Sequence, residues 1–256
     1  MIQAIRKAIN PFFQLLWPES CAACGTSQDV SEGFCPECGK ALLSLAALDY
    51  CTRCGASLGP GLAARTDGCP ACPSTMPRFA GVVRVGPYAG PLRLAVRAMK
   101  YRRWLAHSPP VLKLLGEAVA ARLNAADFDV VLAMPMHWLR RIIRGRNHSA
   151  ALAEAVADKL GLPIGYELVR IRNTPPQVYL PASRREANVR GAFAVTGGSS
   201  LRGARVLLVD DVTTTGATAN EAARTLLSAG ASRVLLAVVA KAEPPTAYSE
   251  HLRAGT

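Results

Sequence analysis

The stretch VLLVDDVTTTGAT, from Val206 to Thr218, predicts the fold of this 256-residue chain. Its apolar start is typical of a buried strand, which is expected to end at Asp210 and Asp211. A loop of small residues at 212–216 follows, and a helix is predicted over 217–229. In a parallel sheet, ligands collect at the carboxyl ends of the strands. The two aspartates are therefore predicted to lie at a ligand site.

Strands and helices alternate along most of the chain. Apolar, β-branched runs predict strands at 79–85, 129–133, 205–209 and 234–239. Helical periodicity predicts helices that begin at Pro91 and that span 110–124, 147–160 and 217–229. This alternation indicates an α/β fold with a parallel sheet flanked by helices.

The loop at 212–216 has the character of a phosphate site. Small residues at a helix N-terminus let backbone N–H groups surround a phosphate. Carboxylates repel phosphate, so Asp210 and Asp211 are expected to face hydroxyl groups or a metal ion. A ribose 5-phosphate satisfies both requirements, with its phosphate in the loop and its 2- and 3-hydroxyls on the aspartates.

The N-terminal part of the chain carries all eight cysteines, in four C-x2-C pairs. These are Cys21 and Cys24, Cys35 and Cys38, Cys51 and Cys54, and Cys69 and Cys72. Two such pairs complete a tetrahedral zinc site, so eight thiolates suit two structural Zn²⁺ ions. A disulfide framework would need a secretory signal and more dispersed cysteines. Sequential pairing is the simplest arrangement, and interleaved pairing also fits the spacing.

The chain is strongly basic, with 30 Lys and Arg residues against 18 Asp and Glu residues. This balance favours anionic partners such as nucleic acid, phosphorylated small molecules or an acidic membrane face. No apolar run is long enough for a transmembrane helix. Arg6, Lys7 and Pro11 interrupt the apolar N-terminus, which argues against a signal peptide and for a docking helix, or for a partner-binding or membrane-surface helix.

These features divide the chain into four parts. We expect an N-terminal helical segment at 1–20, a small double zinc-ribbon domain at 21–78, a sheet domain at 79–245 and a tail at 246–256.

Three motifs together resemble one known family. VLLVDDVTTTGAT resembles the phosphoribosyl pyrophosphate (PRPP) motif of type I phosphoribosyltransferases. MPMHWLRRIIRGRNH at 134–148 and RIRNTPPQVYLPASRREANVRGAFAV at 170–195 are similar to motifs of the ComF family. With the cysteine pairs, this resemblance covers nearly the whole chain. It implies a type I phosphoribosyltransferase-like sheet domain after a double zinc ribbon, in a cytoplasmic protein of competence for DNA uptake.

The resemblance also implies a PRPP site. Its candidate catalytic residues are Asp210 and Asp211, which would bind the ribose hydroxyls. The residues implied for the 5-phosphate are Val212, Thr213, Thr214, Thr215, Gly216, Ala217 and Thr218. Mg²⁺ is expected to accompany PRPP and to stabilise the leaving pyrophosphate.

Cationic and polar residues elsewhere are candidates for the pyrophosphate side and for a mobile flap at 172–190. They are Lys100, Arg140, Arg144, Asn147, Arg172, Thr174, Gln177, Arg184 and Asn188. Arg146 and His148 stand where the family has an aromatic residue and a glutamine. Neither His137 nor His148, although both are near the predicted site, is a persuasive general base.

The favoured function is that of a ComF-like protein that binds PRPP and handles single-stranded DNA, and whether it also transfers phosphoribose is left open. Basic clusters at 100–103 and 140–146 are candidates to bind the DNA backbone. Tyr101, Trp104 and Trp138 lie nearby in the sequence and are candidates to stack on the bases. One alternative is a nucleobase salvage phosphoribosyltransferase, against which the zinc ribbons argue. The other is a non-catalytic PRPP-sensing adaptor that recruits a partner, such as a DNA-uptake helicase or another competence protein.

Overall fold

The computed structural model describes residues 20–59, 68–73, 75, 77–101, 104–139, 142, 147–175, 177, 180–197 and 201–243. The N-terminal helical segment expected at 1–20, apart from its last residue, and the tail expected at 246–256 lie outside these residues. No described helix is long and apolar enough to cross a bilayer.

Seven strands and six α-helices make up the described fold. The strands are β1 (Val82–Pro87), β2 (Val130–Ala133), β3 (Ile164–Gly165), β4 (Leu168–Arg170), β5 (Phe193–Val195), β6 (Arg205–Thr213) and β7 (Arg233–Lys241). The helices are α1 (Pro36–Ala46), α2 (Gly90–Tyr101), α3 (Trp104–Ala120), α4 (His148–Leu160), α5 (Ala182–Val189) and α6 (Ala217–Ser228). A 3-10 helix spans Ala125–Asp127.

Five strands form one parallel sheet in the order β1-β7-β6-β2-β3. Alternate residues of β6 enter separate apolar clusters on its two faces: Leu207 and Val209 on one side, Val206 and Leu208 on the other. Helices α3 and α4 supply the first cluster and α6 supplies the second. A strand that is buried on both faces has a continuous run of apolar residues in its sequence, and residues 206–209 form such a run. The predicted α/β fold with a flanked parallel sheet is confirmed.

The central strands are longer than the sequence predicts. β6 continues to Thr213 because β7 continues beside it, with Thr213 opposite Lys241. On the other side, pairing with β2 stops where Ala133 lies opposite Val209. The acidic pair therefore lies within the last part of β6, where β7 is its only partner among the described strands.

The helix α3 begins and ends earlier than predicted. It spans Trp104–Ala120 rather than 110–124. Pro109 and Pro110 lie inside α3. Pro110 packs so closely on Gly33 that a Cβ added to Gly33 would overlap the proline ring.

A small antiparallel pair, β4 with β5, lies apart from the main sheet. Its three-residue strands are too short to give a periodic signal, and the sequence did not predict them. Leu168 and Phe193 anchor the pair in the apolar cluster that packs on α6. The segment between the two strands includes α5, in the region predicted to be a flap.

The zinc-ribbon region docks on the sheet through apolar and charged contacts. Leu42 and Leu45 of α1 join the same cluster as Leu92 of α2. Arg84 of β1 is fully buried, and its guanidinium pairs with the Glu243 carboxylate at 3.5 Å and donates to the Ser57 hydroxyl at 2.8 Å. Since Ser57 belongs to the ribbon and Glu243 follows β7, this group of charges joins the ribbon to the sheet.

Removing one charge of this buried pair should be costly. We expect Glu243→Gln to lower the free energy of unfolding by about 3 kcal/mol, because the guanidinium of Arg84 would remain buried without a counter-charge. Urea unfolding measures the change.

Glu32→Gln is the matched control, because Glu32 pairs with Lys113 at 2.6 Å on the surface of the same region. It should change the free energy of unfolding by less than about 1 kcal/mol. Equal losses in the two variants would show that the Glu243 charge does not hold Arg84.

Candidate functional site

The eight cysteines form two separate groups of four. Cys21, Cys24, Cys35 and Cys38 make the first cluster, and Cys51, Cys54, Cys69 and Cys72 make the second cluster. Within each cluster all sulfur atoms lie within 4.8 Å of one another. The pairing is therefore sequential, and the interleaved alternative is excluded.

The sulfur spacing fits zinc. The Cys24 and Cys35 sulfurs are 3.7 Å apart, and the Cys51 and Cys72 sulfurs are 3.8 Å apart. Four sulfurs at Zn–S distances of about 2.3 Å around a tetrahedral ion are separated by about 3.8 Å. Because four thiolates fill the coordination sphere, these are structural zinc sites.

Glycines after two of the C-x2-C pairs close tight turns. Gly25 and Gly55 have φ of +84° and +79°, a conformation that favours glycine, and their N–H groups donate to the carbonyls of Cys21 and Cys51. Gly39, after the pair that ends at Cys38, instead lies inside α1.

The two carboxylates of β6 have different partners. Asp210 Oδ1 accepts hydrogen bonds from the Ser149 hydroxyl at 2.9 Å and from the Asp211 N–H at 2.8 Å. Asp211 Oδ2 pairs with the Lys100 ammonium at 2.9 Å. The structure thus brings the predicted Lys100 from α2 to the acidic pair.

Burial and charge shift the protonation of this group. Burial, and next the charge of Asp211, raise the pKa of Asp210 to about 7. Burial lowers the pKa of Lys100, but its ion pair with Asp211 outweighs that effect, so the pKa lies above the usual value. Near neutral pH the site thus holds one cation and an acid whose charge depends on pH.

The threonine-rich loop offers a row of unused backbone donors. Gly216, with φ of +81°, caps the N-terminus of α6, and its carbonyl accepts from the Asn220 N–H at 2.8 Å. Among the described residues there is no acceptor for the backbone N–H groups of Thr214, Thr215, Gly216 and Thr218. Consecutive free N–H groups at a helix N-terminus bind anions. This loop therefore has the chemistry of a phosphate site.

The region predicted as a flap reaches the same loop. Gln177 donates to the Thr218 hydroxyl at 3.3 Å and to the Arg185 carbonyl at 3.1 Å. Thr174 is buried and accepts from Arg170 at 2.6 Å, and Asn188 donates to the Pro175 carbonyl at 3.1 Å.

The two arginines predicted in this region lie on its surface. Arg172 is exposed and donates to the Arg190 carbonyl, and Arg184 is also exposed. The similar family motif has an arginine three residues before its asparagine, and in this chain that residue is Arg185, one position beyond the predicted Arg184.

The segment after β2 is described only in part. Arg140, Arg144 and Arg146 lie outside the described residues. Asn147 donates to the Met134 carbonyl at 3.2 Å and so holds the start of this segment.

The two histidines of this segment are buried. His137 Nδ1 accepts from the Leu139 N–H at 3.3 Å. That bond gives His137 a local structural role.

Two residues of the site were missed by sequence reasoning. Ser149 gave no signal because it looks like an ordinary early residue of a helix. Lys241, at the end of β7, donates to the Thr214 carbonyl and lies next to the loop only because β7 pairs with β6. That hydrogen bond joins residues 27 positions apart, which no local pattern reports.

The raised pKa of Asp210 predicts a pH-dependent stability. Between its ordinary value of 3.8 and about 7, the folded state binds more protons at Asp210 than the unfolded state does. The free energy of unfolding should therefore fall as pH rises from about 5.5 to 7.5, and this fall should be absent in Asp210→Asn. Urea unfolding at each pH measures it.

Ser149→Ala provides the companion variant. It keeps a titratable Asp210 but removes a hydrogen bond that favours the carboxylate, so the fall with pH should be steeper than in the wild type. An equally steep fall in Asp210→Asn would refute the assignment to Asp210.

Two family models match the chain. The double zinc ribbon domain matches residues 12–73, and the phosphoribosyl transferase domain matches residues 146–251. These ranges include all eight cysteines and the whole loop of β6.

Solved structures with a partial likeness include a glutamine PRPP amidotransferase from B. subtilis and a purine phosphoribosyltransferase from Pyrococcus horikoshii. The first is 26% identical with a TM-score of 0.35, over 50% of this chain and 26% of that one. The second is 19% identical with a TM-score of 0.34, over 51% of this chain and 73% of that one.

Curated relatives match over most of their length. The DNA utilization protein YhgH of Salmonella typhi is 30% identical over 207 residues, which are 79% of this chain and 87% of the relative. Competence protein F of Haemophilus influenzae is 27% identical over 228 residues, which are 87% of this chain and 96% of the relative. With its double zinc ribbon, phosphoribosyltransferase-like sheet and acidic loop, the chain belongs to the family of competence protein F and YhgH, the ComF family.

Proposed function

We propose that this protein binds PRPP at the carboxyl end of β6. The observation that carries the proposal is the row of unused N–H groups at Thr214, Thr215, Gly216 and Thr218, directly after two carboxylates. The N–H groups suit the 5-phosphate, and the carboxylates suit the ribose hydroxyls. A division into a ribbon domain at 21–78 and a phosphoribosyltransferase domain at 79–245 is part of this proposal.

Mg²⁺ fits this site as a companion of the substrate. The acidic pair offers oxygen ligands, but no third carboxylate joins it among the described residues, where the only groups of three or more possible ligands are the cysteine clusters. Mg²⁺ is usually held by one or two carboxylates together with substrate phosphates. When bound, it would neutralise charge on the leaving pyrophosphate.

The residues of the chain would prepare the sugar for transfer. Breaking the bond from C1 of ribose to pyrophosphate builds positive charge on the sugar, and the carboxylates of Asp210 and Asp211 stabilise it through the ribose hydroxyls. Lys100 must leave Asp211, or share it, when a hydroxyl group binds there. Its ammonium is then available to the pyrophosphate.

The proposed role is the handling of single-stranded DNA in the cytoplasm during DNA uptake. The relatives are named for DNA utilization and for competence, and the chain has a formal net charge of +12. Trp138 is 61% exposed and Ile142 is 72% exposed, in the arginine-rich segment after β2. Exposed aromatic rings beside cations bind unpaired bases by stacking. Partners would include other competence proteins, such as a DNA-uptake helicase.

The acidic pair is the first test of this proposal. Calorimetry with PRPP and Mg²⁺ should show binding to the wild type and none to Asp210→Asn with Asp211→Asn, because the ribose hydroxyls lose both acceptors. Zinc content and circular dichroism should stay unchanged. Glu154→Gln, on the exposed side of α4, is the control for loss of a carboxylate and should bind PRPP normally.

The outcomes separate the candidate functions. Wild-type affinity in the double variant would show that PRPP binds elsewhere. Pyrophosphate release with single-stranded DNA supports the proposal, whereas release with a free base alone would make the protein a salvage enzyme. PRPP binding without any release would make it a sensing adaptor.

DNA binding should depend on Trp138 and on salt. Affinity for a single-stranded oligonucleotide should fall steeply between about 50 and 200 mM salt, since cationic contacts release counterions. Trp138→Ala should weaken binding by about 1–3 kcal/mol. It should not change how steeply the affinity falls with salt concentration, because the indole ring is uncharged and its loss releases no counterion. Fluorescence anisotropy measures both quantities.

Tyr166→Ala is the control for loss of an exposed aromatic ring, because Tyr166 is 71% exposed on a different element. It should leave DNA affinity near that of the wild type. Salt-independent binding, or equal losses in the two variants, would contradict the proposed DNA surface.

A further inference from the structure

The second cluster lies beside the phosphate loop. A cavity of roughly 480 Å³ separates them, with Cys54 and Ala71 of the ribbon on one side and Thr214 and Gly216 of the loop on another. The Lys241 side chain lines the same cavity. The second cluster thus forms one wall of the cavity that borders the loop.

Lys241 binds the loop and lies close to the ribbon. Its ammonium donates to the Thr214 carbonyl, inside the loop. Its stem passes Gly55, the turn glycine next to Cys54, where an added Cβ would lie 3.8 Å from Lys241 Cδ. The backbone holds the lysine in place, because Thr213 lies opposite Lys241 and accepts from the Ala242 N–H at 2.8 Å.

The chain that leaves the second cluster also supports the loop. Phe79 is buried beneath Gly216, where an added Cβ would lie 3.4 Å from its ring. The Arg78 N–H donates to the Asn220 side chain at 2.6 Å, in the first turns of α6. The ribbon and the loop thus share a packed interface.

The first cluster docks on a different element. Gly33, in the turn between its two cysteine pairs, packs on Pro110 of α3. Glu32 in the same turn pairs with Lys113 of α3 at 2.6 Å. The two zinc sites therefore have different neighbours, and Lys113 provides a matched control for Lys241.

We propose that Lys241 is a positioning residue that couples the second zinc site to the phosphate loop. A Zn²⁺ ion with four thiolates carries a formal charge of about −2 and would repel a phosphate in the neighbouring loop. The ammonium between them offsets this repulsion and holds the Thr214 carbonyl, so that the N–H groups of the loop stay in place. The part of the inference that concerns sugar phosphate rests on the proposed function.

Coupling of this kind acts in both directions. If zinc in the second cluster orders the loop, then a phosphate ester in the loop must stabilise that zinc by the same factor. The first cluster, which lacks such a link, should not respond. A phosphate ester is thus predicted to stabilise the zinc ion of the second cluster and not that of the first.

Hydrogen exchange tests the link without any ligand. Lys241→Met should speed amide exchange in residues 206–220 by about tenfold, the effect expected for loss of one charge-assisted hydrogen bond. Lys113→Met should leave these amides as protected as in the wild type. Equal protection in Lys241→Met and in the wild type would overturn the proposal.

A second pair of variants leaves Lys241 in place, in case its replacement prevents folding. Cys72→Ser in the second cluster should speed exchange at 206–220, whereas Cys24→Ser in the first should not. Identical exchange at 206–220 in these two variants would equally overturn the proposal.

Zinc release tests the reverse direction. Ribose 5-phosphate should slow the chelator-driven loss of one of the two zinc ions by about tenfold in the wild type and in Lys113→Met, but not in Lys241→Met. Equal slowing in all three proteins would refute the role of Lys241. If calorimetry shows no binding of ribose 5-phosphate to the wild type, the proposed sugar-phosphate site fails, and hydrogen exchange alone decides whether Lys241 orders the loop.

Discussion

The pairing of β6 with β7 beyond the end of β2 is the constraint on which the candidate site depends. Past Val209, β7 is the only described strand that pairs with β6, and this pairing keeps the segment from Asp210 to Thr213 in strand conformation. The other edge of this segment pairs with no described strand. That edge is where Ser149 and Lys100 reach the two carboxylates. The same strand leads directly into the loop, so acids and backbone donors follow one another within a few residues.

Buried charges make this corner costly to form, and each is compensated by a partner from another element. Asp210 is stabilised by Ser149 of α4, Asp211 by Lys100 of α2, and Arg84 by Glu243. Such pairs contribute little net stability, but the loss of one partner is expensive. They therefore restrict how the helices and the ribbon can be arranged around the sheet, which favours a single geometry at the site.

Both zinc clusters of the ribbon pack against the sheet domain. The first cluster packs on α3, and the second borders the cavity next to the loop. A short cysteine-rich segment has too little apolar content to hold this arrangement alone, so its conformation depends on metal as well as on docking. Lys241 and Phe79 thus lie between the second cluster and the loop that we propose as a phosphate site.

The sequence by itself determined the α/β class, eight thiolates for two zinc ions and the acidic strand with its threonine-rich loop, because each follows from local periodicity or spacing. Only the structure decided which four thiolates form each site. The sequence did not determine how far β6 extends, the short strands β4 and β5, or the partners Ser149 and Lys241. Only the tertiary structure decided these, because strand ends depend on the neighbouring strand and hydrogen bonds across the sheet join residues far apart in the chain. Lys100 was a candidate from its charge, but its contact with Asp211 exists only because α2 packs against the end of the sheet.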